Sequence, residues 1–213
     1  MIENFIKTEK TGRFYLSRDP DERTKNLFML IHGYGQLASD FIGEFKFWDN
    51  DENLLIAPEG LSKFYTKGEP GASWMTKEDR ENEINDYLNF LDGVMALVND
   101  KLPFPPERIN ILGFSQGVHT AVRYVIHTYL KIDNLILCSS DFPKDADFGK
   151  LKKKVDEGMK LFYIYGTKDK AIRLENFENS EELLREKEIK FERVFFDGGH
   201  ITDEITLISL KLF

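Results

Sequence analysis

Short, continuous apolar runs recur along this chain, and longer stretches with apolar residues three and four apart separate them. Leu27–Ile31, Asn53–Ala57, Arg108–Leu112, Leu135–Cys138, Leu161–Tyr165 and Phe191–Phe196 are the runs, and Gly, Pro, Ser or Asp follows soon after each. Strands of a parallel sheet are covered on both faces and read this way, without in–out alternation. Arg13–Leu16 adds an early strand expected to run antiparallel to the rest. Between the runs, Glu83–Asp100 carries Ile84, Tyr87, Leu88, Leu91, Val94, Met95 and Val98. These trace one stripe on a helix of 3.6 residues per turn. Gly117–Leu130 does the same with Val118, Ala121, Val122, Val125, Ile126 and Tyr129. A shorter helix is expected over Ser180–Glu188 and a last one after His200. Strands alternating with helices imply crossover units and a mostly parallel central sheet with helices on both faces. Active sites of such sheets lie in loops at the carboxyl ends of the strands.

Composition narrows the picture. With 213 residues and no visible linker or repeat, one domain spanning residues 1–213 is expected. The net charge of -8 disfavours a nucleic-acid partner, which needs a basic face. The single cysteine, Cys138, permits no internal disulfide and reads as a buried strand residue. The start Met1-Ile2-Glu3-Asn4-Phe5 lacks the basic and apolar regions of a signal peptide, and no apolar stretch is long enough to span a bilayer. A cytoplasmic protein with no transmembrane segment is therefore expected. No metal-ligand cluster and no phosphate-binding loop stands out, so no metal and no cofactor is implied.

The chemistry concentrates at the expected strand ends. Gly113-Phe114-Ser115-Gln116-Gly117 follows one strand and opens a helix. A G-x-S-x-G pattern in that context is the sharp turn that exposes a nucleophilic serine. The bland alternative is a glycine-rich turn with a serine helix cap.

A serine hydroxyl needs a base, and the histidines are His32, His119, His127 and His200. His119 and His127 lie on the helix behind Ser115, which the turn aims away from. His200 follows the last strand on the flexible Asp197-Gly198-Gly199 and can reach back over the sheet. The acid that orients it is expected at Asp169, in Gly166-Thr167-Lys168-Asp169 after the preceding strand. Asp141 is the alternative, one strand earlier, whereas Asp197 is too close in sequence to His200.

An acyl-transfer site also needs backbone N–H donors for the developing oxyanion. Gln116, following the nucleophile, is one candidate, and Tyr34 in His32-Gly33-Tyr34-Gly35 is the other. His32 then ties that loop down. Gly68–Met75 reads as a Gly/Pro loop in which Trp74 either lines an acyl pocket or lid or anchors the loop to the core, and Met75 and Phe142 are further candidate pocket residues.

Together these motifs resemble the phospholipase/carboxylesterase family, the branch of α/β hydrolases that includes acyl-protein thioesterases. The resemblance runs from about Leu27 to His200, on His32-Gly33-Tyr34-Gly35, Ser73-Trp74, Gly113-Phe114-Ser115-Gln116-Gly117, Gly166-Thr167-Lys168-Asp169 and Gly199-His200. It implies an α/β-hydrolase fold without a large cap. It also implies a metal-free serine esterase with Ser115, Asp169 and His200 in the catalytic roles, acting on a small-molecule or lipid ester, or a thioester. The chain departs from the family pattern at Gln36, where an acidic residue is common. It departs again at Met75-Thr76 in place of Phe-Asp, and at Lys170-Ala171-Ile172 where Val-Pro is favoured. These positions fall in pocket-forming loops and leave the substrate open. Rival readings are a non-catalytic binding protein on a hydrolase scaffold and a hydrolase of a small peptide or lactone.

Overall fold

The computed structural model describes residues 1–66 and 68–212. Seven strands form one sheet: β1 (Phe14–Leu16), β2 (Asn26–Ile31), β3 (Asn53–Pro58), β6 (Arg108–Phe114), β7 (Asn134–Cys138), β8 (Lys160–Gly166) and β9 (Glu192–Phe196). Their spatial order is β1-β3-β2-β6-β7-β8-β9. β1 pairs antiparallel with β3, and every other neighbouring pair is parallel. β4 (Ser62–Thr66) and β5 (Glu69–Ser73) make a separate antiparallel pair.

Helices cover both faces. α2 (Arg80–Lys101), α3 (Gln116–His127), α4 (Phe148–Asp156) and α5 (Leu174–Glu186) bury Leu91, Val122, Leu151 and Phe177. They pack against one side of the sheet, on Leu27, Met29, Ile111, Leu135 and Tyr163. On the other side Phe28, Leu30, Leu112 and Ile136 meet Phe41, Phe45 and Trp48, together with Leu207 and Leu210. Phe41 ends the short α1 (Ala38–Phe41), Phe45 and Trp48 lie on a 3-10 helix over Ile42–Trp48, and Leu207 is on α6 (Glu204–Ser209). Alternate residues of each strand thus serve opposite layers, so every position of β2 and β3 is buried. A fully buried Leu, Ile or Phe contributes about 1.5–3 kcal/mol, which explains why these strands carry almost no polar side chain.

Three expectations change. The helix expected over Ser180–Glu188 is α5, which already begins at Leu174 and ends at Glu186. The segment read as a loop over Gly68–Met75 contains β5, which pairs with β4 from Ser62↔Ser73 to Thr66↔Glu69. Pro70 is tolerated because each strand of a two-stranded pair keeps a free edge. The helix expected to reach Leu130 stops at His127, as Thr128 turns to extended geometry. Tyr129, expected in the buried stripe, is fully exposed beyond the helix.

Candidate active site

β6 ends at Phe114 and α3 begins at Gln116, so Ser115 alone makes the turn between them. Its backbone is held at φ 51° and ψ -120°, a conformation a non-glycine residue adopts at a cost of about 1–3 kcal/mol. Two features hold it there. The Ser115 N–H donates to Cys138 O at 2.9 Å, continuing the β6–β7 pairing. Gly117 brings α3 so close to β2 that a Cβ on it would lie 2.1 Å from Ile31 O. The sharp turn lifts the Ser115 hydroxyl clear of the helix.

The loops after β8 and β9 are joined to each other. Thr167 and Lys168 donate backbone N–H bonds to Phe196 O (2.9 Å) and Gly198 O (2.8 Å). This join sets Asp169 beside His200. Asp169 Oδ2 lies 2.7 Å from His200 Nδ1, and His200 Nε2 lies 3.0 Å from Ser115 Oγ. The other carboxylate oxygen, Oδ1, accepts from the N–H groups of Ala171 (2.8 Å) and Ile172 (3.0 Å). The Asp169 side chain is fully buried, while His200 keeps 26% of its side chain exposed. The Phe114 ring packs on the imidazole, with centroids 4.9 Å apart. The three residues singled out in the sequence thus lie in one hydrogen-bonded line.

The alternatives lie elsewhere. Asp141 faces His119 (Oδ1 to Nε2, 3.2 Å), and that contact lowers its pKa against the effect of burial. Asp197 is exposed and pairs with Lys168 at 2.8 Å. His127 pairs with Asp92 at the surface, at 2.8 Å.

The loop after β2 lies against the serine: a Cβ on Gly33 would be 3.1 Å from Ser115 Cβ. His32 is fully buried and anchors this loop. Its Nε2 accepts from the Gly60 N–H at 3.0 Å, so its proton sits on Nδ1 and is donated to Gly33 O at 2.7 Å. Burial outweighs that bond and brings its pKa down to about 4. Gln36, standing where an acidic residue is common, still supplies a carbonyl oxygen to the Gly33 N–H at 2.8 Å. An amide oxygen and a carboxylate are interchangeable for that one bond. Among the described residues the Tyr34 N–H has no backbone or side-chain acceptor. Gln116 is the first residue of α3, so its N–H has no intrahelical acceptor.

The three pocket candidates are placed differently. Trp74 and Phe142 are each 1% exposed. Trp74 donates its indole N–H to His32 O at 2.9 Å and packs on the His32 ring. Phe142 packs on Phe148 in the core beside α4. Both offer almost no surface to a ligand, which agrees with the anchoring alternative for Trp74 and departs from the pocket role expected of Phe142. The edge of Trp74 reaches a cavity of about 480 Å³ lined by Thr8, Leu61, Glu83, Asp86 and Phe90, none of them a triad candidate. Met75 is half-buried, its sulfur 3.8 Å from Arg123 Nη1. Sequence reasoning could not separate these cases, because an apolar residue in a polar segment reads alike as anchor or as wall. Among the described residues no three His, Cys, Asp or Glu side chains gather as a metal site, and no helix is long and apolar enough to cross a membrane.

A family model described as phospholipase/carboxylesterase matches residues 18–213. Among solved structures, esterase PE8 superposes with a TM-score of 0.68 at 21% identity, over 93% of this chain and 94% of that one. Acyl-protein thioesterase 2 of Zea mays superposes with a TM-score of 0.68 at 15% identity, over 93% and 95%. A phospholipase/carboxylesterase from Dyadobacter fermentans gives 0.66 at 21% identity, over 95% and 96%. Among curated proteins, none matches the chain. At these identities the superpositions speak for the fold, and together with the family match it is that of the α/β hydrolases, with no cap domain over the sheet among the described residues.

Proposed function

We propose, from the premise that the chain belongs to the phospholipase/carboxylesterase family, that it cleaves carboxylic esters or thioesters through an acyl-enzyme on Ser115. The observation that carries this reading is the line Asp169–His200–Ser115, with contacts of 2.7 and 3.0 Å.

Ser115 Oγ attacks the substrate carbonyl carbon while His200 Nε2 takes the hydroxyl proton. Asp169 keeps the other imidazole proton on Nδ1 and stabilises the imidazolium. The carbonyl oxygen gains negative charge and lies against the N–H groups of Tyr34 and Gln116. Both amides are free to donate, and the N-terminus of α3 adds its partial positive charge. The tetrahedral species collapses, and the bond to the leaving oxygen or sulfur breaks. His200 passes its proton to the departing alcohol or thiol. A water then attacks the acyl carbon, gives a proton to His200, and the acid leaves as Ser115 regains its hydrogen.

A panel of p-nitrophenyl esters from acetate to palmitate tests this. Wild type is expected to turn over at least one ester, and the best chain length describes the acyl site. Ser115→Ala and His200→Ala are expected to lower kcat by several orders of magnitude. Asp169→Asn, which reverses the imidazole tautomer, is expected to lower it about 10⁴-fold. Equal rates for wild type and Ser115→Ala on every ester would remove the reading.

A further inference from the structure

The segment Ala72–Met75, at the end of β5, is bonded to both loops that carry the oxyanion donors. On the Tyr34 side, the Gly35 N–H donates to Ala72 O at 2.9 Å and the Trp74 indole donates to His32 O at 2.9 Å. The two backbones nearly touch: a Cβ on Gly71 would lie 2.7 Å from Gly35 O. On the Ser115 side, the whole Gln116 side chain is committed to the same segment. Its Oε1 accepts from the Trp74 N–H at 3.1 Å. Its Nε2 donates to Ser73 Oγ and to Met75 O, both at 3.0 Å. The Ser73 hydroxyl in turn donates to Met75 O at 3.0 Å.

A surface glutamine at the start of a helix has no need of such a set. Here both amide hydrogens and the carbonyl oxygen are used, and Ser73 and Trp74 are each 1% exposed. We propose that Gln116 and Ser73 are positioning residues that brace the two oxyanion donors at a fixed separation, with Ala72–Met75 as the brace. The inference rests on the acyl-transfer reading above and adds to it. Gln116 serves twice: its backbone N–H meets the oxyanion, and its side chain decides where that N–H points. An oxyanion hole works because its donors are already in place when charge develops, and a displacement of about 1 Å can cost about 10²-fold in rate. The Ser73-Trp74 pair thereby gains a role other than contact with substrate.

The test uses Gln116→Met, which keeps chain length and backbone N–H but loses all three polar contacts. Ser73→Ala, which removes one hydroxyl, is the milder second variant. On the best p-nitrophenyl ester, Gln116→Met is expected to lower kcat about 10–100-fold with KM within about twofold. Ser73→Ala is expected to lower kcat by a smaller factor in the same way. An aldehyde of the same acyl chain adds Ser115 Oγ to its carbonyl and puts an oxygen against the two amides. Its inhibition constant should rise in each variant by the factor lost in kcat/KM. Inhibition by the carboxylic acid product should stay unchanged. A merely structural role would lower thermal stability without that selective rise for the aldehyde. The proposal is overturned if Gln116→Met keeps kcat within about twofold of wild type. It is also overturned if aldehyde and product lose affinity equally. A wild type inert to every ester and to a serine-directed fluorophosphonate would instead overturn the acyl-transfer reading, and this one with it.

Discussion

At the scale of single residues, chemistry leaves narrow choices, and that is why much of the site was legible. Few side chains can activate a serine, and few positions in this chain could bring one to it. Ser115, His200 and Asp169 were singled out from residue type and strand-end position, and the structure sets them in line. Residue type left Trp74 open between pocket wall and anchor and put Phe142 among the pocket candidates, because burial is not written in residue type. His32 shows what burial does to a titratable group. Its folded pKa is held at about 4, below the ordinary value of about 6.5 for an unfolded histidine. The stability this protects is complete above the unfolded value. As pH falls the unfolded chain takes up the proton first, so stability is lost on the way toward pH 4 and levels off below it. By pH 5 this histidine alone should cost about 2 kcal/mol relative to neutral pH. Urea unfolding at pH 7.5 and pH 5 should show that loss in wild type and not in His32→Gln. Equal losses in the two proteins would mean that another group carries the effect.

At the scale of elements, continuous apolar runs marked every strand of the main sheet, usually to within one or two residues at each end. For the inner strands the pattern and the burial have one cause, coverage on both faces; the edge strands β1 and β9 are only partly covered and carry charged residues such as Glu192 and Arg193. The β4–β5 pair was missed for the complementary reason. Half of its residues are exposed, it contains Pro70 and Gly71, and nothing in its pattern alternates cleanly. α4 was passed over because its apolar positions, Phe148, Leu151 and Val155, are few and sit among Lys150, Lys152, Lys153 and Lys154. β2, β6 and α3 meet at close quarters. Gly117→Ala would press a methyl group into Ile31 O, and either β2 or α3 would have to shift. Such overpacking against backbone is expected to cost about 3 kcal/mol or more, read as a fall in the urea midpoint. Gly43→Ala, at a position with open space around it, should leave the midpoint nearly unchanged.

At the scale of the whole molecule, the sheet order carries the functional logic. β6 is central, and the loops after β2, β6, β8 and β9 all open at the carboxyl ends of parallel strands. Ser115, Asp169 and His200 are far apart in sequence and meet only because the topology gathers those ends, beside the loop that follows β2. The sequence could reveal the members of the site, but not the brace from β5 that ties two of its loops together. That brace depends on a strand pair standing apart from the main sheet.

The central claim is that Ser115 is an activated nucleophile. Intact-mass analysis after treatment with a fluorophosphonate tests it most directly, because it needs no knowledge of the substrate. The account predicts a single adduct on wild type, located in the peptide that contains Ser115. It predicts none on Ser115→Ala and much slower labelling of His200→Ala. No adduct on the folded wild-type protein, or an adduct on a different serine, would contradict the claim.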